Sequence, residues 1–135
     1  MQLDDLYEYA DEHDIPIIPF EMPESECMSV MVDGDCYIGI DPTKLDSTAD
    51  ETVKLAHDLG HCETGSFYYG YSPLQLRCQC EHKADVWAIK KLIPKDELIE
   101  AFKSGIVEKW DLAEYFNVTE DFVLKAVEYY DIIRI

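Results

Sequence analysis

The stretch TVKLAHDLGHCETG, residues 52–65, decides how this chain is read, because it places His57 and His61 four residues apart in what reads as one helix. At that spacing both imidazoles project from the same face and can reach a single metal ion. The usual form of this signature is H-E-x-x-H, in which the two histidines bind Zn²⁺ and the intervening glutamate handles the proton of a hydrolytic reaction. Here the intervening acid is Asp58. The helix should start near Thr48, where Thr48-Ala-Asp-Glu51 has the form of a capping box with Thr48 at the N-cap, and should stop at Gly65.

Just downstream, Ser72-Pro73-Leu-Gln75 reads as a second helix start, with Ser72 at the cap and Pro73 in the first turn, and this helix should run to about Leu92, ahead of Pro94. It carries Glu81 and Asp85 one turn apart, on a face that also holds Ala84 and Ala88, small residues that permit close approach of another element. Two carboxylates among alanines and near Trp87 are costly to bury unless something positive faces them. A zinc ion on His57 and His61 would satisfy Glu81, and the ring N–H of a ligand histidine would satisfy Asp85. Hydrolytic zinc takes three protein ligands and keeps a fourth position open, and His57, His61 and Glu81 fill the three. Asp85 then orients a ligand histidine from behind.

Asp58 is the candidate general base, although it is shorter than glutamate by one methylene, about 1.5 Å; the alternative is a solvated helix residue with no part in proton transfer. Candidate donors to a developing oxyanion are Tyr68, Tyr69, Tyr71 and His82. For the tyrosines, an aromatic loop packed over a cleft, SFYYGY at residues 66–71, is an equally good explanation.

Elsewhere the pattern is mixed. Residues 3–13 space Leu3, Leu6, Tyr7 and Ala10 as an amphipathic helix. Residues 14–20 turn extended, and Pro16 and Pro19 confine any strand there to a sheet edge. Asp33-Gly34 signals a hairpin between residues 28–32 and 36–40. If Met28, Val30 and Val32 are to share a face with Cys36, Ile38 and Ile40, the loop needs three residues, which predicts a bulge. Beyond Pro94 three helical pieces follow: residues 95–103, residues 108–116, and a last helix capped by Thr119. The final two resemble a helix-turn-helix, but the second offers Lys125 alone against several acids, so packing is favoured over DNA reading.

The formal charge is −18, from 29 acidic and 11 basic residues, which disfavours direct nucleic-acid binding and attraction to anionic membranes. No signal peptide or membrane span is expected, and no repeat or flexible linker divides the chain. The cysteines, Cys27, Cys36, Cys62, Cys78 and Cys80, form an odd set without a regular spacing, which favours free thiols in a reducing cytoplasm. Cys78, Cys80 and His82 form C-x-C-x-H, but residues two apart on a helix face away from each other, so a metal site there is disfavoured.

With these residues in view the chain resembles the ImmA/IrrE family of zinc metallopeptidases. LAHDLGHCETGSFYY resembles that family's helix-borne H-E-x-G-H and the small and aromatic residues after it, and EHKADVWAIKKLIP resembles its downstream E-x-x-A-(D/N)-x-(W/F)-A block. The Glu81 and Asp85 pair also looks like the gluzincin arrangement. The resemblance implies one Zn²⁺ on His57, His61 and Glu81, the general-base position at Asp58, and intracellular cleavage of a helix-turn-helix repressor of a mobile element or stress response. The expected architecture is α+β and zincin-like: a small antiparallel sheet packed with a mainly helical body of about six helices. It forms a single domain over residues 1–135, with a metal-binding core at 1–93 and a C-terminal helical subregion at 94–135. Two rivals stand beside a cytoplasmic zinc endopeptidase of narrow specificity: a catalytically weak zinc module that sequesters a regulatory partner, and an HD-type phosphohydrolase using His57 and Asp58. The last leaves His61, Glu81 and Asp85 unexplained.

Overall fold

The computed structural model describes residues 1–132; residues 133–135, the end of the expected C-terminal subregion, lie outside them. The described residues form an α+β fold of six helices and one three-stranded mixed sheet: α1 (Leu3–Glu12), β1 (Ile17–Pro19), β2 (Cys27–Val32), β3 (Asp35–Ile40), α2 (Thr48–Thr64), α3 (Leu74–Leu92), α4 (Lys95–Lys103), α5 (Lys109–Phe116) and α6 (Glu120–Tyr129). None of these helices is long and apolar enough to cross a membrane.

The core gathers Leu6 and Ala10 of α1, Ile38 of β3, Leu55, Ala56 and Leu59 of α2, and Ala88, Ile89 and Leu92 of α3 with the apolar stripes of α4, α5 and α6. The central event is the packing of α2 on α3. Gly60 lies against Ala84 so closely that a Cβ on the glycine would sit 2.6 Å from the Ala84 carbonyl oxygen. Small residues on both helices therefore set the distance across which His57 and His61 face Glu81. Below them, α5 and α6 bury Leu112, Phe116, Phe122 and Val123, so the helix-turn-helix-like pair spends its apolar faces in the core.

Two helix starts differ from expectation by a residue. Ser47, not Thr48, caps α2, its hydroxyl accepting from Asp50 N. Ser72 does not cap α3, which begins at Leu74 with Pro73 at the cap position; the Ser72 hydroxyl accepts from Tyr69 N in the preceding loop instead. The α2 stop is as read, with Gly65 left-handed at φ 64.

The sheet order is β1-β3-β2; β1 is an edge strand that runs parallel to β3, and only the β2–β3 hairpin is antiparallel. The hairpin corrects the bulge. Asp33 and Gly34 both take positive φ, 52 and 85, the geometry of a two-residue turn, and Val32 pairs directly with Asp35. Val30 therefore lies opposite Tyr37 and Met28 opposite Gly39, placing Met28, Val30 and Val32 on the side of the sheet away from Ile38 and Ile40. The inner side carries Cys36, whose sulfur is joined to Cys62 of α2 in a disulfide. This corrects the expectation of unpaired thiols for those two; they are 26 residues apart, and the packing of the inner sheet face on α2 brings them together. Cys27, Cys78 and Cys80 are free.

Candidate metal centre

Helix α2 turns His57 and His61 toward α3, where Glu81 meets both. His57 Nε2 lies 2.8 Å from Glu81 Oε2, His61 Nε2 lies 3.1 Å from Glu81 Oε1, and the two Nε2 atoms are 3.2 Å apart. The other ring nitrogens are tied down from behind. His57 Nδ1 is 2.8 Å from Asp85 Oδ1, and His61 Nδ1 is 2.6 Å from the Ser66 carbonyl oxygen. Both partners can only accept, so each Nδ1 carries the proton and each neutral ring presents a bare lone pair at Nε2.

Two imine lone pairs and a carboxylate thus converge on one point. Such a set is mutually repulsive until a cation joins it, and the donor set, two imidazoles and a carboxylate whose ligand atoms lie within 4.8 Å of one another, fits zinc. Burial pushes the His57 pKa down, but Asp85, Glu81 and Asp58 outweigh it and the net shift is upward. Burial pushes Glu81 and Asp85 up; hydrogen bonds from Tyr68 to Glu81 and from His57 to Asp85, with the nearby imidazoles, bring both below the usual carboxylate range.

Of the candidate oxyanion donors, Tyr68 alone is at this centre. Its hydroxyl donates to Glu81 Oε1 at 2.8 Å, which, with partial burial, pushes its pKa up to about 12. Tyr69 and Tyr71 stack on each other in solvent, 69 % and 85 % exposed, and His82 faces Tyr129 on another side of α3. These three are not brought to the centre. Cys78 is exposed while Cys80 is buried with its thiol on the Phe67 carbonyl, so C-x-C-x-H does not converge.

Asp58 is buried at 7 % exposure and lines the same cleft without belonging to the triad. Facing it is Cys27 of β2. Burial raises the Cys27 thiol pKa, and the charge of the nearby Asp58 carboxylate raises it further. Sequence gave no sign of this neighbour, nor of the Ser66 carbonyl, nor of Lys125 on α6, 3.4 Å from Asp85 Oδ2. The cleft has a volume of about 830 Å³ and runs from β2 across the triad to α6, with Met28, Val30, Val53, Phe67 and Phe122 as its apolar walls.

A helix-borne histidine pair completed by a glutamate from the next helix, beside a small sheet, defines a zincin-like α+β domain. The family model for the IrrE N-terminal-like domain, a peptidase family, matches residues 10–128. The chain belongs to that family, and its function is of the metallopeptidase type. Neither a search of curated proteins nor a search of solved structures finds a match.

Proposed function

We propose that this chain is a cytoplasmic zinc-dependent endopeptidase of narrow specificity whose substrate is a helix-turn-helix repressor of a mobile element or stress response. The observation that carries the zinc assignment is the convergence of His57 Nε2, His61 Nε2 and Glu81 with both Nδ1 atoms already committed. One zinc ion held by these three residues would polarise a peptide carbonyl and lower the pKa of a coordinated water to about 7. The protein supplies the rest. Asp85 and the Ser66 carbonyl fix the tautomers and orientations of the two rings and make them better donors. Tyr68, protonated at neutral pH, is a hydroxyl donor at the edge of the cleft for charge developing on a carbonyl oxygen. Asp58, next to His57 in sequence and lining the cleft, would carry a proton to the leaving amine.

A second reading, a zinc-holding module that binds a regulatory partner without cutting it, is favoured by one specific contact. The Asp58 carboxylate is short by a methylene, buried, and beside the Cys27 thiol. The test is incubation of zinc-loaded protein with the repressor encoded beside its gene. Cleavage that disappears in His57→Ala supports the peptidase. A stable complex with no product, converted to cleavage by Asp58→Glu, supports the binding module, and absence of both complex and product rejects the repressor as partner.

A further inference from the structure

The two-residue turn at Asp33 and Gly34 decides more than register. It sends Met28, Val30 and Val32 to the outer side of the sheet, where Ile18 of β1 pairs beside Gly39 and the Phe20 ring lies over that glycine, 2.4 Å from where a Cβ would stand. The inner side buries Ile38 and Ile40 against α2, whereas Val30, Met28, Ile18, Phe20 and Val32 remain 40 %, 43 %, 47 %, 50 % and 53 % exposed. Apolar side chains exposed on both outer strands, with the Phe20 ring laid over Gly39 of the central strand between them, mark an interaction site rather than scattered exposure.

Its surroundings are acidic. Exposed Glu21, Glu24, Asp33 and Asp35 lie in the strands and loops that frame the face, and Lys44 is the one basic residue between Asp14 and Val53. The Lys44 ammonium is already directed at the Met22 and Ser25 carbonyls and at Asp41. A second copy of the chain would bring the same acids against each other. The face is also continuous with the cleft, because Met28 and Val30 belong to both. A polypeptide lying on it can therefore pass round the β2 edge toward the triad.

We propose that the outer face of the sheet is an exosite that receives a segment of the protein substrate bearing apolar side chains flanked by Lys or Arg. The assignment rests on the proposal that the cleft takes a protein, but the surface can be tested without catalysis. The probe is a peptide alternating Leu with Lys, titrated into the chelator-treated, isotope-labelled full chain and followed by amide shifts. Two control peptides alternate Leu with Glu and Ser with Lys.

The expected result is shifts concentrated on residues 17–20, 28–32 and 35–39, absent with the Leu–Glu peptide and diffuse with the Ser–Lys peptide. Ile18→Ser and Val32→Ser, both at exposed positions, should each weaken binding roughly tenfold while leaving the core spectrum unchanged. Ile18 is on β1, far from the free edge of β2, so an unchanged affinity in Ile18→Ser would mean simple strand pairing at that edge and overturn the exosite. Shifts spread over α1 and α5, or concentration-dependent self-association through this face, would overturn it as well. If the peptide docks as expected and zinc-loaded protein cuts no repressor, the surface stands and the peptidase proposal falls. If the repressor is cut equally well by Ile18→Ser and Val32→Ser, the reverse holds.

Discussion

The α2–α3 pair and the three-stranded sheet share one core and are finished in opposite ways. Across the helix pair the groups around the triad are engaged: both histidine Nδ1 atoms have acceptors, Asp85 is bridged by His57 and Lys125, and Gly60 lets the backbones touch. Across the outer face of the sheet almost nothing is engaged, and branched and aromatic side chains stand in solvent. A centre for an ion is made by fixing every support so that a few lone pairs have nowhere else to turn. A surface for a protein is made by leaving apolar area uncovered. Substitutions in the two regions should therefore report on different observables.

The largest effect is expected from His57→Ala, which should abolish stoichiometric zinc uptake by titration calorimetry. The stabilisation zinc gives the parent, about 2.7 kcal/mol at a hundredfold excess over Kd, should vanish with it. Binding at the sheet face should be untouched. Next is Gly60→Ala. The added Cβ meets Ala84 backbone, which cannot swing aside, so α2 and α3 must part, at about 1–3 kcal/mol in a denaturant titration and with weaker zinc binding, because Glu81 moves with α3. A variant of full stability would show that this helix contact does not set the site.

Asp85→Asn preserves shape and removes the charge behind His57, and should lower zinc affinity roughly 10–100-fold, with a lower unfolding midpoint in the metal-free protein too, because the Asp85 carboxylate held below its usual range contributes to the fold. A smaller effect concerns pH. Because the folded-state pKa of His57 is raised above 6.5, its contribution to the stability of the metal-free protein is fully present below that value and is lost as pH rises through the folded pKa. The proton and the metal compete for the same nitrogen, so zinc affinity should run the other way and rise over that interval. Paired melts with and without zinc across neutral pH check both signs. The smallest effect is Ile18→Ser, within about 0.5 kcal/mol in stability and with zinc affinity unchanged; a large loss would mean that the outer face is structural.

The same contrast explains what could be read from the chain. The helices and the triad were legible because the chemistry repeats at helical spacing: His57 with His61, Glu81 with Asp85, Ala84 with Ala88. The sheet was less so. Alternation says which residues share a face but not which face is inside, and that choice turned on whether Asp33-Gly34 closed a loop of two residues or three. The bulge expectation followed from the premise that apolar residues seek the core, which fails where an apolar face is left open. The Cys36–Cys62 pairing was hidden for another reason: Cys36 shares the face of Ile38 and Ile40 in either register, and it is the packing of that face on α2 that brings it to Cys62. Cys27 against Asp58, the Ser66 carbonyl on His61 and Lys125 on Asp85 join remote segments, and no local pattern announces them.

The central claim is that the lone pairs left by this arrangement hold one zinc ion. Its most direct test is a crystal structure of the zinc-loaded chain with anomalous data at the zinc edge. The account predicts one ion bound by Nε2 of His57, Nε2 of His61 and the Glu81 carboxylate, with Asp85 still on His57 Nδ1. An ion ligated by Asp58 or by the Cys78, Cys80 and His82 group, or no ion after stoichiometric loading, would contradict it.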